Sequence, residues 1–155
     1  MGEHMPKLEL TNMVMIVNKN DGKVLVQNRI KDWKGISLPG GHIEENESFV
    51  DSAVREIKEE TGLDIRNLKS CGVIHWLHRH TLDRYIVFLY KTSDYSGDII
   101  YDCKEGQNSW MSIEELKSTP SSNGMPKYLP MFLEDKYNEV FEVWSDDEPW
   151  DISFK

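Results

Sequence analysis

One segment constrains the architecture more than any other: a short helix between Ser48 and Thr61 whose two ends are both marked in the sequence. Ser48 with Asp51 three residues later is a capping-box variant, and Gly62 suits the left-handed residue that closes a helix. Val50, Ala53, Val54 and Ile57 recur at helical spacing, so that face is expected to pack on a core. Glu56, Glu59 and Glu60 share a ~100° arc that borders the apolar face. At roughly 6 Å and an effective dielectric of ~20, each pair of carboxylates repels by about 3 kcal/mol. A helix gains nothing by gathering three acids unless a positive charge sits among them. All-oxygen ligands select a hard cation, Mg²⁺ or Mn²⁺. The plain alternative is a solvated acidic face.

The flanking sequence is rich in strand formers. Residues 8–28 read as a β-hairpin around the polar stretch Asn18 to Gly22, and residues 33–41 as a loop and short strand ending in Pro39-Gly40-Gly41. Beyond the helix, 65–77 and 81–92 read as two long strands and 109–111 as another, with Ser112 capping a short helix. A Pro/Ser/Asn/Gly loop covers 119–126, a helix is expected over 127–133, and the alternating end of the chain from Val140 to Phe154 suits a hairpin. Met1-Gly2-Glu3-His4 before Met5 reads as a cloning remnant, leaving one folded domain over 5–155.

Charge separates the partners this chain can have. Lys and Arg total 18 against 27 Asp and Glu, a net charge of −9, which argues against stable wrapping of nucleic acid. Residues 41–64 and 134–155 each hold eight acids and two bases, so those segments carry −12 and the remainder +3. A small anionic substrate is therefore compatible with the chain once cations neutralise the first cluster. The longest apolar runs are too short to span a bilayer, and no charged-then-apolar stretch opens the chain. Cys71 and Cys103 lack any Cys-x-x-Cys spacing and read as reduced thiols. A cytoplasmic protein without a membrane partner, monomeric or homodimeric, is expected.

Reading outward from the helix gives Gly41-x5-Glu47-x7-Arg55-Glu56-Ile57-x-Glu59-Glu60-x-Gly62-Leu63, nine constrained positions over 23 residues. This pattern resembles the Nudix box throughout. The resemblance implies an α+β Nudix fold, a mixed β-sheet sandwiched between helices (α/β/α) in a single domain. It also implies an enzyme that cleaves a nucleoside diphosphate linked to another moiety, with Mg²⁺ as cofactor and Mn²⁺ as a substitute. By the same resemblance the cation is held by the carbonyl of Gly40 with Glu56, Glu59 and Glu60. Arg55 and Glu47 are expected to pair and hold the loop against the helix. Glu56 is the first choice for general base and Glu59 the second.

The segment Glu105-Gly106-Gln107-Asn108-Ser109-Trp110-Met111-Ser112 is similar to one in the MutT-like branch of the family. The similarity brings Glu105 to the metal site, and places Asn123 where an amide reads the oxidised guanine of 8-oxo-dGTP. It implies a pyrophosphohydrolase that converts 8-oxo-dGTP to 8-oxo-dGMP and pyrophosphate and so cleans the nucleotide pool. His42 and Leu38 depart from that branch at pocket positions, and base stacking is open to Trp33, Trp76 or Tyr85. His75, His78 and His80 are further pocket candidates, with Arg84 a candidate phosphate contact. Two alternatives stand beside this reading: hydrolysis of a dinucleoside polyphosphate or nucleotide sugar, and a regulator that binds a nucleotide without cleaving it.

Overall fold

A computed structural model describes residues 4–120 and 124–155. The strand-forming runs do become strands, but their pairing is mostly long-range. Leu8–Ile16 (β1) lies parallel to Arg84–Thr92 (β6), with Leu8 beside Arg84 and Ile16 beside Thr92. β6 is antiparallel to Lys69–His78 (β5), β5 is parallel to Glu139–Trp144 (β10), and β10 is antiparallel to Asp151–Phe154 (β11). These five strands form one mixed sheet in the order β1-β6-β5-β10-β11. A second, antiparallel sheet contains Val24–Arg29 (β2), Gly35–Ser37 (β3), Asp102–Cys103 (β8) and Gly106–Met111 (β9), in the order β3-β2-β9-β8. Asp64–Arg66 (β4) and Asp94–Ser96 (β7) make a small separate pair.

Alternation along β1 divides the core. Val14 and Ile16 pack with Ala53 and Ile57 of the helix Phe49–Thr61 (α1), while Met15 packs on the opposite side with Met125, Tyr128 and Leu129. That opposite side is closed by a 3-10 turn, Met125–Tyr128, running into a short helix, Leu129–Leu133 (α3); Pro126 and Pro130 start the two turns. A third short helix, Ile113–Ser118 (α2), is capped by Ser112 and buries Leu116. The mixed sheet thus lies between helices, in the α+β arrangement expected of a single Nudix domain. No helix among the described residues is long and apolar enough to cross a membrane.

Several local expectations need correction. Residues 8–28 are not a paired hairpin: β1 and β2 belong to different sheets, pack side chains in the same core, and are linked by an isolated bridge just past β1, Val17 to Val24. The free edge of β1 is taken instead by residues 39–43, through Asn12 N to Gly41 O and Val14 N to Pro39 O, both 2.9 Å. The expected strand 65–77 breaks at Asn67, which adopts φ 54° and turns the chain from β4 into β5. The strand placed at 81–92 begins only at Arg84, because Leu82 sits at φ 62° in the preceding turn. Val50 is 44% exposed rather than on the packed face of α1, and its neighbour Phe49 stacks on Phe88 with centroids 4.0 Å apart. The terminal hairpin, β10 with β11, forms as expected.

Candidate active site

The site begins with the pairing of the glycine loop to β1. Asn12, 4% exposed, accepts a hydrogen bond from Gly41 N at 3.2 Å and donates to Ser52 Oγ of α1 at 2.9 Å, so one amide joins loop and helix. A methyl group on Gly40 would lie 2.1 Å from the Asn12 carbonyl oxygen, and one on Gly41 would lie 2.4 Å from Cδ of Glu56. The absent side chains therefore let the loop press on β1 and leave the space that the Glu56 carboxylate occupies.

The caps of α1 are those the sequence marks: Ser48 Oγ accepts from Asp51 N at 3.0 Å, and Gly62 closes the helix at φ 80°. Arg55 binds Glu47 through two bonds, Nε to Oε2 at 3.0 Å and Nη2 to Oε1 at 2.7 Å, and reaches the His42 carbonyl at 3.1 Å. The expected pair thus ties the 42–47 loop to the helix. The guanidinium holds the Glu47 carboxyl at about 2, and the carboxylates around Arg55 push its own value upward. Arg55 Nη1 also stands between Glu56 Oε1 at 3.0 Å and Glu59 Oε2 at 3.3 Å. Part of the positive charge demanded by the acidic arc is therefore supplied by the chain itself.

The remaining demand falls on Glu60. Its side chain is buried (5% exposed), with Oε2 accepting from Gly40 N at 3.1 Å. Burial, followed by the charges of Glu56 and Glu105, pushes its carboxyl up to about 8. Burial also raises Glu56, against the opposing pull of Arg55. Glu56, Glu60, Glu105 and Gly40 line one cavity of about 340 Å³. Glu59 does not line it; its side chain is 59% exposed and turned to Arg55. An oxygen-only donor set holding a buried carboxylate with no full counter-charge fits a hard divalent cation. Glu105 reaches the cavity because Gly106, at φ 152°, lets β9 press against the Asn28 carbonyl. Asn108 then donates to the carbonyls of Glu60 at 2.8 Å and Ile100 at 2.7 Å, fixing the end of α1 beside β9.

A second group of residues lining the same cavity is aromatic. Trp33 and Trp76 lie nearly parallel, with centroids 6.0 Å apart and planes 15° apart, and Tyr85 lies 5.1 Å from Trp76. Leu38, Met125 and Tyr128 complete that wall, and His42 enters edge-on to Tyr85 at 6.2 Å. Arg84 is not brought there. Period-two alternation aims Tyr85 and Val87 at the cavity and Arg84 at the other face, where its Nη1 meets His75 Nε2 at 2.8 Å. Trp76 faces in, so His75 faces out and binds Glu139 at 2.9 Å. His78 stacks edge-on to Trp144, and His80 binds Asp147. Asn123 lies outside the described residues.

Sequence reasoning missed Arg29, Asn12 and Tyr128. Arg29 ends β2 and lines the cavity, where its charge draws the Glu60 carboxyl downward. Nothing local marks it, since its position depends on the β2–β9 register. Elsewhere, His80, Asp147 and Glu148 bring three ligand atoms within 4.8 Å of one another, but all are exposed and Glu148 is paired with Arg79 at 3.3 Å.

Residues 9–132 match the family model described as NUDIX domain. An uncharacterised Nudix hydrolase, YvcI of Bacillus subtilis (strain 168), is 29% identical over 118 residues, covering 74% of this chain and 72% of that protein. NAD-capped RNA hydrolase NudC of Pseudomonas aeruginosa (strain LESB58) is 27% identical over 120 residues; the match covers 76% of this chain and only 41% of NudC. Among solved structures, a MutT protein from Bacillus halodurans superposes with a TM-score of 0.76 at 18% identity, covering 95% of this chain and 97% of that one, which speaks to the fold alone. The family match, over most of the chain, is joined by Glu56 and Glu60 of the box lining one cavity: the chain belongs to the Nudix family, hydrolases that act on pyrophosphate bonds of nucleotide derivatives.

Proposed function

We propose that the chain hydrolyses a nucleoside triphosphate to the monophosphate and pyrophosphate in the cytoplasm, dependent on Mg²⁺ or Mn²⁺, with 8-oxo-dGTP as its first candidate substrate. One observation carries this reading: a single cavity is lined both by a group of carboxylates, with Glu60 buried among them, and by a stacked aromatic wall. That layout matches a phosphate chain joined to a planar base. Stacking of a base on such rings contributes about 1–3 kcal/mol.

Glu56, Glu60, Glu105 and the Gly40 carbonyl would hold the cation, with Glu59 released from Arg55 to join them. When bound, the ion polarises phosphate oxygens and acidifies a water. Glu56, whose carboxyl is raised by burial against the pull of Arg55, is the first choice to accept the proton of the attacking water, and Glu59 the second. Arg29 lines the cavity and offsets the phosphate charge, while Arg55 keeps the loop and helix in register. Trp33, Trp76 and Tyr85 hold the base, and Leu38 and His42 shape the cavity beside them.

The similarity to NudC favours a second reading, a dinucleotide-type substrate in which the aromatic wall takes one of two bases. A comparison of kcat/KM for 8-oxo-dGTP, dGTP, other nucleoside triphosphates, nucleotide sugars, dinucleotides and NAD-capped RNA separates the two. Preference for triphosphates, with pyrophosphate as product, supports the first reading. Preference for a two-base substrate overturns it. Product analysis in ¹⁸O-labelled water identifies the phosphorus attacked.

A further inference from the structure

Behind the aromatic wall stands an acid that the hydrolytic reading leaves without a task. Glu142 lies mid-strand in β10 and is only 1% exposed. In the parallel pairing of β10 with β5 it is the partner of Trp76, and their side chains meet on the cavity side of the sheet. Glu142 Oε1 accepts from Trp76 Nε1 at 3.2 Å and from the Tyr128 hydroxyl, and Oε2 accepts from Lys127 Nζ at 3.1 Å. Trp76 Nε1 also donates to the Tyr128 oxygen at 3.0 Å, closing a triangle of indole, phenol and carboxylate. Trp76 and Tyr128 both line the cavity; Glu142 does not.

A buried carboxylate is costly to place, and a well-packed apolar residue at such a site is often as stable or more so. Packing alone therefore does not account for Glu142. Its partners do. The polar edges of both rings are drawn back to one acceptor, which leaves ring surface rather than hydrogen-bonding groups facing the substrate space. A ring held by an edge hydrogen bond keeps one orientation, and a base can stack on it without first ordering it.

We propose that Glu142 is a positioning residue that fixes the orientation of the Trp76 and Tyr128 rings and so sets the affinity for the base of the nucleotide. This inference rests on the reading that the base stacks on the aromatic wall of the cavity. Its test compares wild type with Glu142→Leu, which removes the acceptor, and Glu142→Gln, which keeps an acceptor oxygen without the charge. Steady-state kinetics on the best triphosphate, calorimetric Kd for the monophosphate product, and Kd for Mn²⁺ alone are measured on each.

In Glu142→Leu, KM and product Kd should rise about tenfold or more while kcat stays within about threefold. Mn²⁺ affinity should hold, and Glu142→Gln should restore nucleotide affinity. Unchanged KM in Glu142→Leu overturns the inference, as does a joint fall of kcat and Mn²⁺ affinity, which would indicate general damage. Failure of Glu142→Gln to restore binding also overturns it. If Glu142→Leu does not fold, Tyr128→Phe keeps the ring and removes its O–H: weakened nucleotide binding supports the role of Glu142, and wild-type binding contradicts it. Wild type that binds nucleotides without hydrolysing them defeats the proposed activity alone, because product Kd still tests Glu142. Wild type that binds no nucleotide defeats both.

Discussion

Raising the pH of the metal-free protein through neutrality loads charge onto Glu60, the one box carboxylate that is both buried and without a close cationic partner. Its carboxyl titrates at about 8 in the folded chain, against an ordinary 4.5 once unfolded. Between those values the folded state keeps a proton that the unfolded state gives up, so the contribution of Glu60 is fully present below about pH 4.5 and is lost as pH rises towards 8. From about pH 5 to about pH 7 the decline amounts to about 2–3 kcal/mol. For a domain of this length that corresponds to a fall in Tm of about 5–10 °C. Glu56, raised by burial, adds a slope of the same sign. The depressed carboxyls Glu47 and Asp147, each at about 2, have finished titrating below this window and cannot offset it. Differential scanning calorimetry in EDTA, on wild type and Glu60→Gln, reads the effect. Wild type should lose Tm across the window and regain it with excess Mg²⁺, while Glu60→Gln should show a shallower slope and melt above metal-free wild type near neutral pH. Parallel curves for the two proteins, or a flat wild-type curve, would refute the burial argument for Glu60.

Other perturbations separate the parts of the site. Gly41→Ala places a methyl group against Glu56 and should weaken Mn²⁺ binding with little change in Tm. Gly40→Ala collides with the backbone of Asn12 and should cost about 1–3 kcal/mol of stability, read in the same melting assay. Glu59→Gln should lower kcat by about a hundredfold or more with Tm unchanged; rates near wild type would remove Glu59 from the metal set. Trp33→Ala should raise KM about tenfold through lost base stacking and spare kcat. An unchanged KM would place the base elsewhere.

How much of the fold is legible in the chain follows the range of the interactions. Helix α1, its caps and the Arg55–Glu47 pair are set by spacings of a few residues, and these match the expectation. Strand pairing depends on partners far apart in sequence. The parallel pairing of Leu8 with Arg84 has no local signature, and residues 8–28 therefore read as a hairpin. The same register decides which strand residues face the cavity. Alternation alone makes Tyr85 and Arg84 opposites but does not say which is inside, and the pairing of β6 against β5 turns Tyr85 inward. The three glutamates were expected to crowd one another; burial divides them, with Glu60 enclosed and Glu59 in solvent. Loss of hydration is accordingly what raises the Glu60 carboxyl most, and repulsion from Glu56 comes after it.

Glu56 and Glu60, with Glu105 and the Gly40 carbonyl, are proposed to hold a divalent cation within the cavity that they line. Anomalous diffraction from a crystal soaked in Mn²⁺ tests it most directly. A peak is expected about 2.0–2.3 Å from carboxylate oxygens of Glu56 and Glu60, within the cavity that Trp33 and Trp76 also line. A cavity without a peak at saturating Mn²⁺, with Glu60 still bonded only to Gly40 N, would contradict it.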